Sequence, residues 1–137
     1  MTTIVVCGGR SYGLVPDHIP DGLRLQYEAA AERERGRLVA VLDAAVARLE
    51  LSRLACGDAT GADALAAAWA ESKDIPFKVY VADWPAFGNA AGPKRNGVML
   101  KEEQPSAVIA FPGSRGTRDC CRQAEKLGIT VYKVDWS

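Results

Sequence analysis

Short apolar runs alternate with longer amphipathic stretches along most of this sequence. Ile4, Val5, Val6 and Cys7 form a β-branched run ended by Gly8 and Gly9, which predicts a buried parallel strand followed by a turn. Residues 14–31 carry Pro16, Pro20 and Gly22 among scattered polar groups and read as an irregular insertion. From Glu32 to Leu49 the residues Leu38, Val41, Leu42, Ala45, Val46 and Leu49 recur at helical spacing, with Arg33, Arg35, Arg37 and Arg48 on other faces. The first core helix is predicted there. A second strand, about Leu51 to Cys56, leads through Gly57-Asp58-Ala59-Thr60-Gly61 into an alanine-rich helix from Ala62 to about Lys73. In a third strand, Pro76 to Val81, Phe77, Val79 and Val81 alternate with Lys78 and Tyr80. Asp83 to Gly92, rich in Gly, Pro and aromatic residues, reads as a surface loop, and Pro93 opens a helix that ends before Pro105. Ala107 to Phe111 gives a fourth strand. A last helix runs to Leu127, Gly128 stops it, and Ile129 to Val134 gives the fifth strand.

This alternation implies an α/β fold: one Rossmann-like domain over residues 1–137, with a mostly parallel five-stranded sheet and helices on both faces. The pattern leaves the strand order open. The order 3-2-1-4-5 would put the topological switch, and a crevice, between the carboxyl ends of the first and fourth strands. Those strands are followed by Gly8-Gly9-Arg10 and by Pro112-Gly113-Ser114-Arg115-Gly116-Thr117, so the glycines stand where this topology holds its ligand.

Composition narrows the classes. With 48% apolar and 25% charged residues the chain has a globular balance, and 137 residues suffice for one core. Net charge is zero, which offers no diffuse positive field for nucleic acid or an acidic membrane; nucleic acid is not an expected partner. The four cysteines lack the spacing of a disulfide framework: Cys7 and Cys56 sit in apolar runs, and Cys120 and Cys121 are adjacent. A reducing, cytoplasmic setting is expected, and with His18 far from the cysteines neither a metal nor a cofactor is expected. The start at Met1 shows no secretory signal, and no apolar stretch is long enough to span a membrane.

Glycines after a parallel strand let a phosphate approach the backbone, and free N–H groups at the next helix supply complementary partial charge. Gly8, Gly9, Pro112, Gly113, Ser114, Arg115, Gly116 and Thr117 fit that use, although a tight turn that binds nothing would need similar residues. Neither loop is a standard dinucleotide or P-loop fingerprint. Gly57, Asp58, Gly61 and Asp63 follow the second strand. There Asp58 can accept from ribose hydroxyls or cap the helix, a role Thr60 fills equally well, and Asp63 suits the helix dipole. Lys94, Arg95 and Asn96 follow an aromatic segment with Trp84 and Phe87. An arginine can grip phosphate bidentately and an aromatic face can stack on a base, whereas a basic helix start opposes the dipole.

Taken in order, Cys7-Gly8-Gly9-Arg10, Gly57-Asp58-Ala59-Thr60-Gly61-Ala62-Asp63, Ala82-Asp83-Trp84, Ala91-Gly92-Pro93-Lys94-Arg95-Asn96 and Phe111-Pro112-Gly113-Ser114-Arg115-Gly116-Thr117 make the chain resemble the YspA-like, YpsA-related branch of the SLOG superfamily. The resemblance covers nearly the whole chain apart from the insertion after Gly13. It implies a Rossmann-like fold and a nucleotide or nucleotide-sugar ligand, and related domains commonly form homodimers. The superfamily includes LOG phosphoribohydrolases, DNA-processing Smf proteins and sensor domains, so no single activity is implied. The hydrolase pattern PGGxGTxxE maps its second glycine onto Ser114 and its catalytic glutamate onto Cys120; Asp119, one helical residue away, points elsewhere. The leading expectation is a nucleotide-binding sensor or sequestering protein, with phosphate held by the Gly113 to Thr117 turn, Arg10 and Arg95. The alternative is a hydrolase of a nucleotide N-glycosidic or related bond using Asp119, Asp58 or Asp63, and behind it stands a DNA-binding module.

Overall fold

A computed structural model of the protein describes residues 2–136; Met1 and Ser137, the ends of the domain expected over 1–137, lie outside the described residues. The chain runs β1 (Thr2–Cys7), α1 (Arg24–Leu49), β2 (Leu51–Gly57), α2 (Ala62–Ser72), β3 (Phe77–Tyr80), α3 (Trp84–Phe87), a 3-10 turn (Gly88–Ala90), α4 (Ala91–Glu103), β4 (Ala107–Ala110), α5 (Arg115–Lys126) and β5 (Thr130–Lys133). The strands form one sheet in the order β3-β2-β1-β4-β5, and every pairing is parallel. This is a Rossmann-like domain, with the switch between β1 and β4.

The pleat sorts the core into two layers. Ile4 and Val6 of β1, Leu54 and Cys56 of β2 and Ile109 of β4 join Leu38 and Leu42 of α1 and Ala62, Ala66 and Trp69 of α2 on one face. Val5, Ala55, Val108 and Ala110 join Met99 and Leu100 of α4 and Cys120, Cys121 and Ala124 of α5 on the other. Strands buried on both faces explain why β1 and β4 read as continuous apolar runs.

Three expectations change. The irregular segment is shorter than 14–31, because α1 begins at Arg24 rather than Glu32. Residues 24–34 are strong helix formers with little apolar periodicity, and between Arg24 and Ala31 only Ala31 is buried, so the signal came too late in the sequence. The stretch 83–92 is not a loop: Asp83 Oδ1 accepts from the Ala86 N–H at 3.1 Å and caps α3, and α4 begins at Ala91 with Pro93 in its first turn. In β3 the buried residue is Tyr80, while Phe77 and Val79 are each 37% exposed and Val81, just beyond the strand, is 71% exposed. This strand lies at the sheet edge, where α2 covers the Phe77 and Val79 face only in part.

Tyr80 also anchors α4. Its hydroxyl donates to Glu103 Oε2 at 2.6 Å, and Arg53 of β2 donates to the same carboxylate through Nε and Nη2 at 2.8 and 3.0 Å. The Arg53 hydrogen bonds hold the Glu103 carboxyl below its usual range.

Candidate functional site

The carboxyl edge of the sheet is built from three backbone segments in close contact. The Gly9 N–H donates to Pro112 O at 2.9 Å, and Gly9 O accepts from the Ala62 N–H at 3.1 Å. Thr60 Oγ1 donates to Arg10 O at 2.8 Å. The loops after β1, β2 and β4 are thus laced together by main-chain groups, which needs segments without side chains between them. Gly61 has φ +73, and a Cβ there would run into Gly9 O and Arg10 O. A Cβ on Gly113 would overlap Thr117 Oγ1 and lie 2.8 Å from Gly9 N. Gly116 differs: a Cβ there would meet nothing within 4 Å. Tyr12, buried with its ring 5.3 Å from that of Phe111, closes the turn after Arg10 against the core.

α5 starts at Arg115 with Ser114 as its cap residue, and no side-chain cap bond is made there, which leaves its first-turn N–H groups without intrahelical partners. α2 starts at Ala62, beside the same crevice, also without a side-chain cap. The carboxyl of Asp63 is buried in its first turn and accepts from the Ala59 N–H through Oδ2 at 3.2 Å. Burial pushes its pKa up to about 6, against the pull of the Ala59 N–H and of Arg95.

Asp58 caps no helix. Its Oδ1 accepts from Arg95 Nη1 at 2.7 Å, and the Ala82 N–H reaches it at 3.4 Å. Arg95 donates through Nε to Asn96 Oδ1 at 3.0 Å. Asn96, buried, passes the chain of contacts to α5: its Nδ2 donates to Gly116 O at 3.4 Å and to Asp119 Oδ2 at 3.0 Å. Gln123 Nε2 donates to the same Asp119 oxygen at 2.8 Å, and Arg122 Nη2 to Oδ1 at 3.1 Å. Asp119 therefore props the α4 and α5 junction rather than facing the crevice. The Arg95 guanidinium and the Asp63 carboxyl explain Gly57: a Cβ there would lie 2.6 Å from Arg95 Nη1 and 2.8 Å from Asp63 Oδ2.

The structure gathers Gly8, Gly9, Arg10, Gly57, Asp58, Gly61, Asp63, Arg95, Asn96 and the 112–117 segment at this one edge. It separates their roles. Arg95 is spoken for by Asp58 and Asn96, whereas Arg10 and Arg115 are exposed and make no ion pair among the described residues. Cys120, at the position of the hydrolase glutamate, is 1% exposed in the core beside Cys7 and Cys121. Hydrogen bonding with Cys120 and Cys121, together with burial, holds the Cys7 thiol well above the usual thiol range, and the same contact with Cys7 pulls the Cys121 thiol below it; all three thiols are buried in the core between β1 and α5. Thr60, expected as an alternative cap of α2, donates instead to Arg10 O, and Asp119, considered as a hydrolase carboxylate, is taken up by Asn96, Gln123 and Arg122; Gln123 was not singled out in the sequence. An open apolar groove of ≈ 270 Å³ between α1 and strands β4 and β5, lined by Val41, Ala45, Ile109 and Tyr132 among others, shares no residue with the crevice.

Among the described residues no helix is long and apolar enough to cross a membrane. The family model described as YAcAr, the YspA, cpYpsA-related SLOG family, matches residues 2–87. The chain is also 39% identical over 82 residues to the Gene 61 protein of Mycobacterium phage D29; the match covers 55% of this chain, and the chain spans 65% of the length of that relative.

Proposed function

Because the chain belongs to the YspA, cpYpsA-related SLOG family, we propose that it binds a nucleotide or nucleotide-derived small molecule at the carboxyl edge of its sheet, as a sensor or sequestering protein. The observation that carries this reading is the uncapped start of α5 beside the open face of Gly116, with Arg10 exposed and making no ion pair among the described residues. In this reading phosphate lies on the N–H groups of the 113–117 turn and against Arg10. Arg95 is satisfied by protein groups, so its part is to orient Asp58, whose 31% exposed carboxylate accepts from ribose hydroxyls. The backbone lacing of the three loops fixes these groups before ligand arrives, which lowers the ordering cost of binding. Native mass spectrometry of gently purified protein tests the proposal: a retained nucleotide-derived mass supports it, and calorimetry with phosphorylated and dephosphorylated forms of that ligand must then show phosphate dependence.

One observation favours a second reading, hydrolysis of a nucleotide N-glycosidic bond. Asp63 is a buried carboxyl with a pKa of about 6 in the crevice, a range suited to general acid–base work. Against it stands the buried Cys120 where the hydrolases carry glutamate. Turnover of candidate nucleotides by purified protein separates the two.

A further inference from the structure

Two aromatic rings on the segment after β3 are covered by cations. The Arg10 guanidinium carbon lies 5.5 Å from the centroid of Trp84, and Lys94 Nζ lies 4.8 Å from that of Phe87. Neither cation forms an ion pair among the described residues. Trp84 is 41% exposed although it is the largest type of side chain, and it has a made seat: Gly92 is buried beneath its edge, where a Cβ would lie 3.3 Å from Cη2. Asp83 caps the short helix that carries the indole, so the ring is presented on ordered backbone.

Arg10 connects this ring to the crevice. Its carbonyl is held by Thr60, and the residue before it is hydrogen-bonded to Pro112, while its head group reaches Trp84. In sheet order the 112–117 turn follows β4 and Trp84 follows β3, three strands away, which is about 14 Å at the usual strand spacing. The indole reaches part of that way, to Arg10 on the β1 loop that is hydrogen-bonded to the 112–117 turn, and a ligand with an anionic group at one end and a flat ring at the other spans the remainder. A cation over an exposed aromatic face is held weakly compared with one hydrogen-bonded to phosphate, so Arg10 gains by moving from the ring to such an anion. The move uncovers the indole face.

We infer that Trp84 is the stacking platform for the base of a nucleoside monophosphate-type ligand, uncovered when Arg10 turns to the phosphate at the 112–117 turn. This rests on the nucleotide-binding reading above. Stacking on an indole is tolerant of base identity, because every base has a π-face, so the platform supports binding of purines and pyrimidines alike.

Calorimetry with AMP, GMP, CMP, UMP and ribose 5-phosphate on wild type, Trp84→Ala and Trp84→Phe tests the inference. Trp84→Ala is expected to weaken the nucleotides by roughly 10- to 100-fold and to leave ribose 5-phosphate within about twofold, while Trp84→Phe keeps most of the affinity. AMP should quench tryptophan emission in the wild type and not in Trp84→Phe. Unchanged nucleotide affinity in Trp84→Ala, or an equal loss for ribose 5-phosphate, overturns the platform and leaves the phosphate site standing. If none of the five binds wild type, the nucleotide-binding reading fails and the platform falls with it.

Discussion

Arg95 of α4 donates from Nη1 to the carboxylate of Asp58 at the end of β2 across 2.7 Å, with 12% of the arginine side chain exposed. A guanidinium held this way is part of the wall of the crevice, whereas Arg10 and Arg115 are exposed and make no ion pair among the described residues.

Arg10 and Arg95 should therefore respond differently to removal. Arg10→Ala is expected to weaken a phosphorylated ligand by roughly 1.5 to 3 kcal/mol while sparing its dephosphorylated form. Arg95→Ala is expected to weaken both forms alike and to lower stability by about 1 to 3 kcal/mol, because Asp58 and Asn96 lose their donor. Paired titrations of AMP and adenosine, with urea denaturation of each variant, measure this; phosphate-selective loss in Arg95→Ala alone would reverse the assignment.

Gly113 and Gly116 look equivalent in sequence and are not. Gly116→Val places its side chain in open space at the start of α5, so it is expected to abolish phosphate binding with the thermal midpoint nearly unchanged. Gly113→Val collides with Thr117 and Gly9 and is expected to cost about 1 to 3 kcal/mol of stability in addition. Thermal unfolding beside calorimetry reads both; full phosphate affinity in Gly116→Val would remove the 113–117 turn from the site.

Asp63 makes a prediction about pH. Its folded pKa of about 6 lies above the usual 3.8, so the folded chain holds a proton that the unfolded chain releases between those values. Stability should fall as pH rises from about 4 to about 6, by on the order of 2 to 3 kcal/mol for this group. Asp63→Asn is expected to flatten that slope and to be more stable than wild type at pH above about 7. Denaturant midpoints across the range decide it, and parallel profiles for the two proteins would count against a buried, proton-binding Asp63.

The buried Cys120 bears on the hydrolase alternative. Wild-type protein is expected to release no free base from AMP, GMP, CMP or UMP above background, by chromatography. Cys120→Glu, which restores the family carboxylate on paper, is expected to unfold or severely destabilise the protein, since it places an unpaired carboxylate in the core beside Cys7. Base release by wild type that Gly116→Val eliminates would promote the hydrolase.

The succession of strands and helices along the chain was legible because short β-branched runs ending in glycine have few other uses; their order in the sheet was left open, and the fold brings the two glycine loops together at the carboxyl edge. The start of α1 was hidden by a stretch from Arg24 to Glu34 that is helical by propensity but nearly without an apolar stripe. In β3 the alternation was visible, but which face α4 covers depends on packing. The pairing of Asp58 with Arg95, 37 residues apart, is a tertiary fact, and of the two roles the sequence left open for Asp58 it removes the helix cap. Likewise only the folded backbone distinguishes Gly113, pressed against another loop, from Gly116, which faces open space.

The anchoring of α4 at both ends has a consequence for dynamics. Arg95 fastens its first turns to the end of β2, and Glu103 fastens its last turn to Arg53 of β2 and Tyr80 of β3. A helix riveted at both ends to the same pair of strands shares their opening reaction, so its interior amide protons should exchange with solvent together with those of β2, as one cooperative block. Breathing motions that admit a ligand are then left to the turn-rich residues 10–23 and the exposed segment 83–90, and the wall between them stays still.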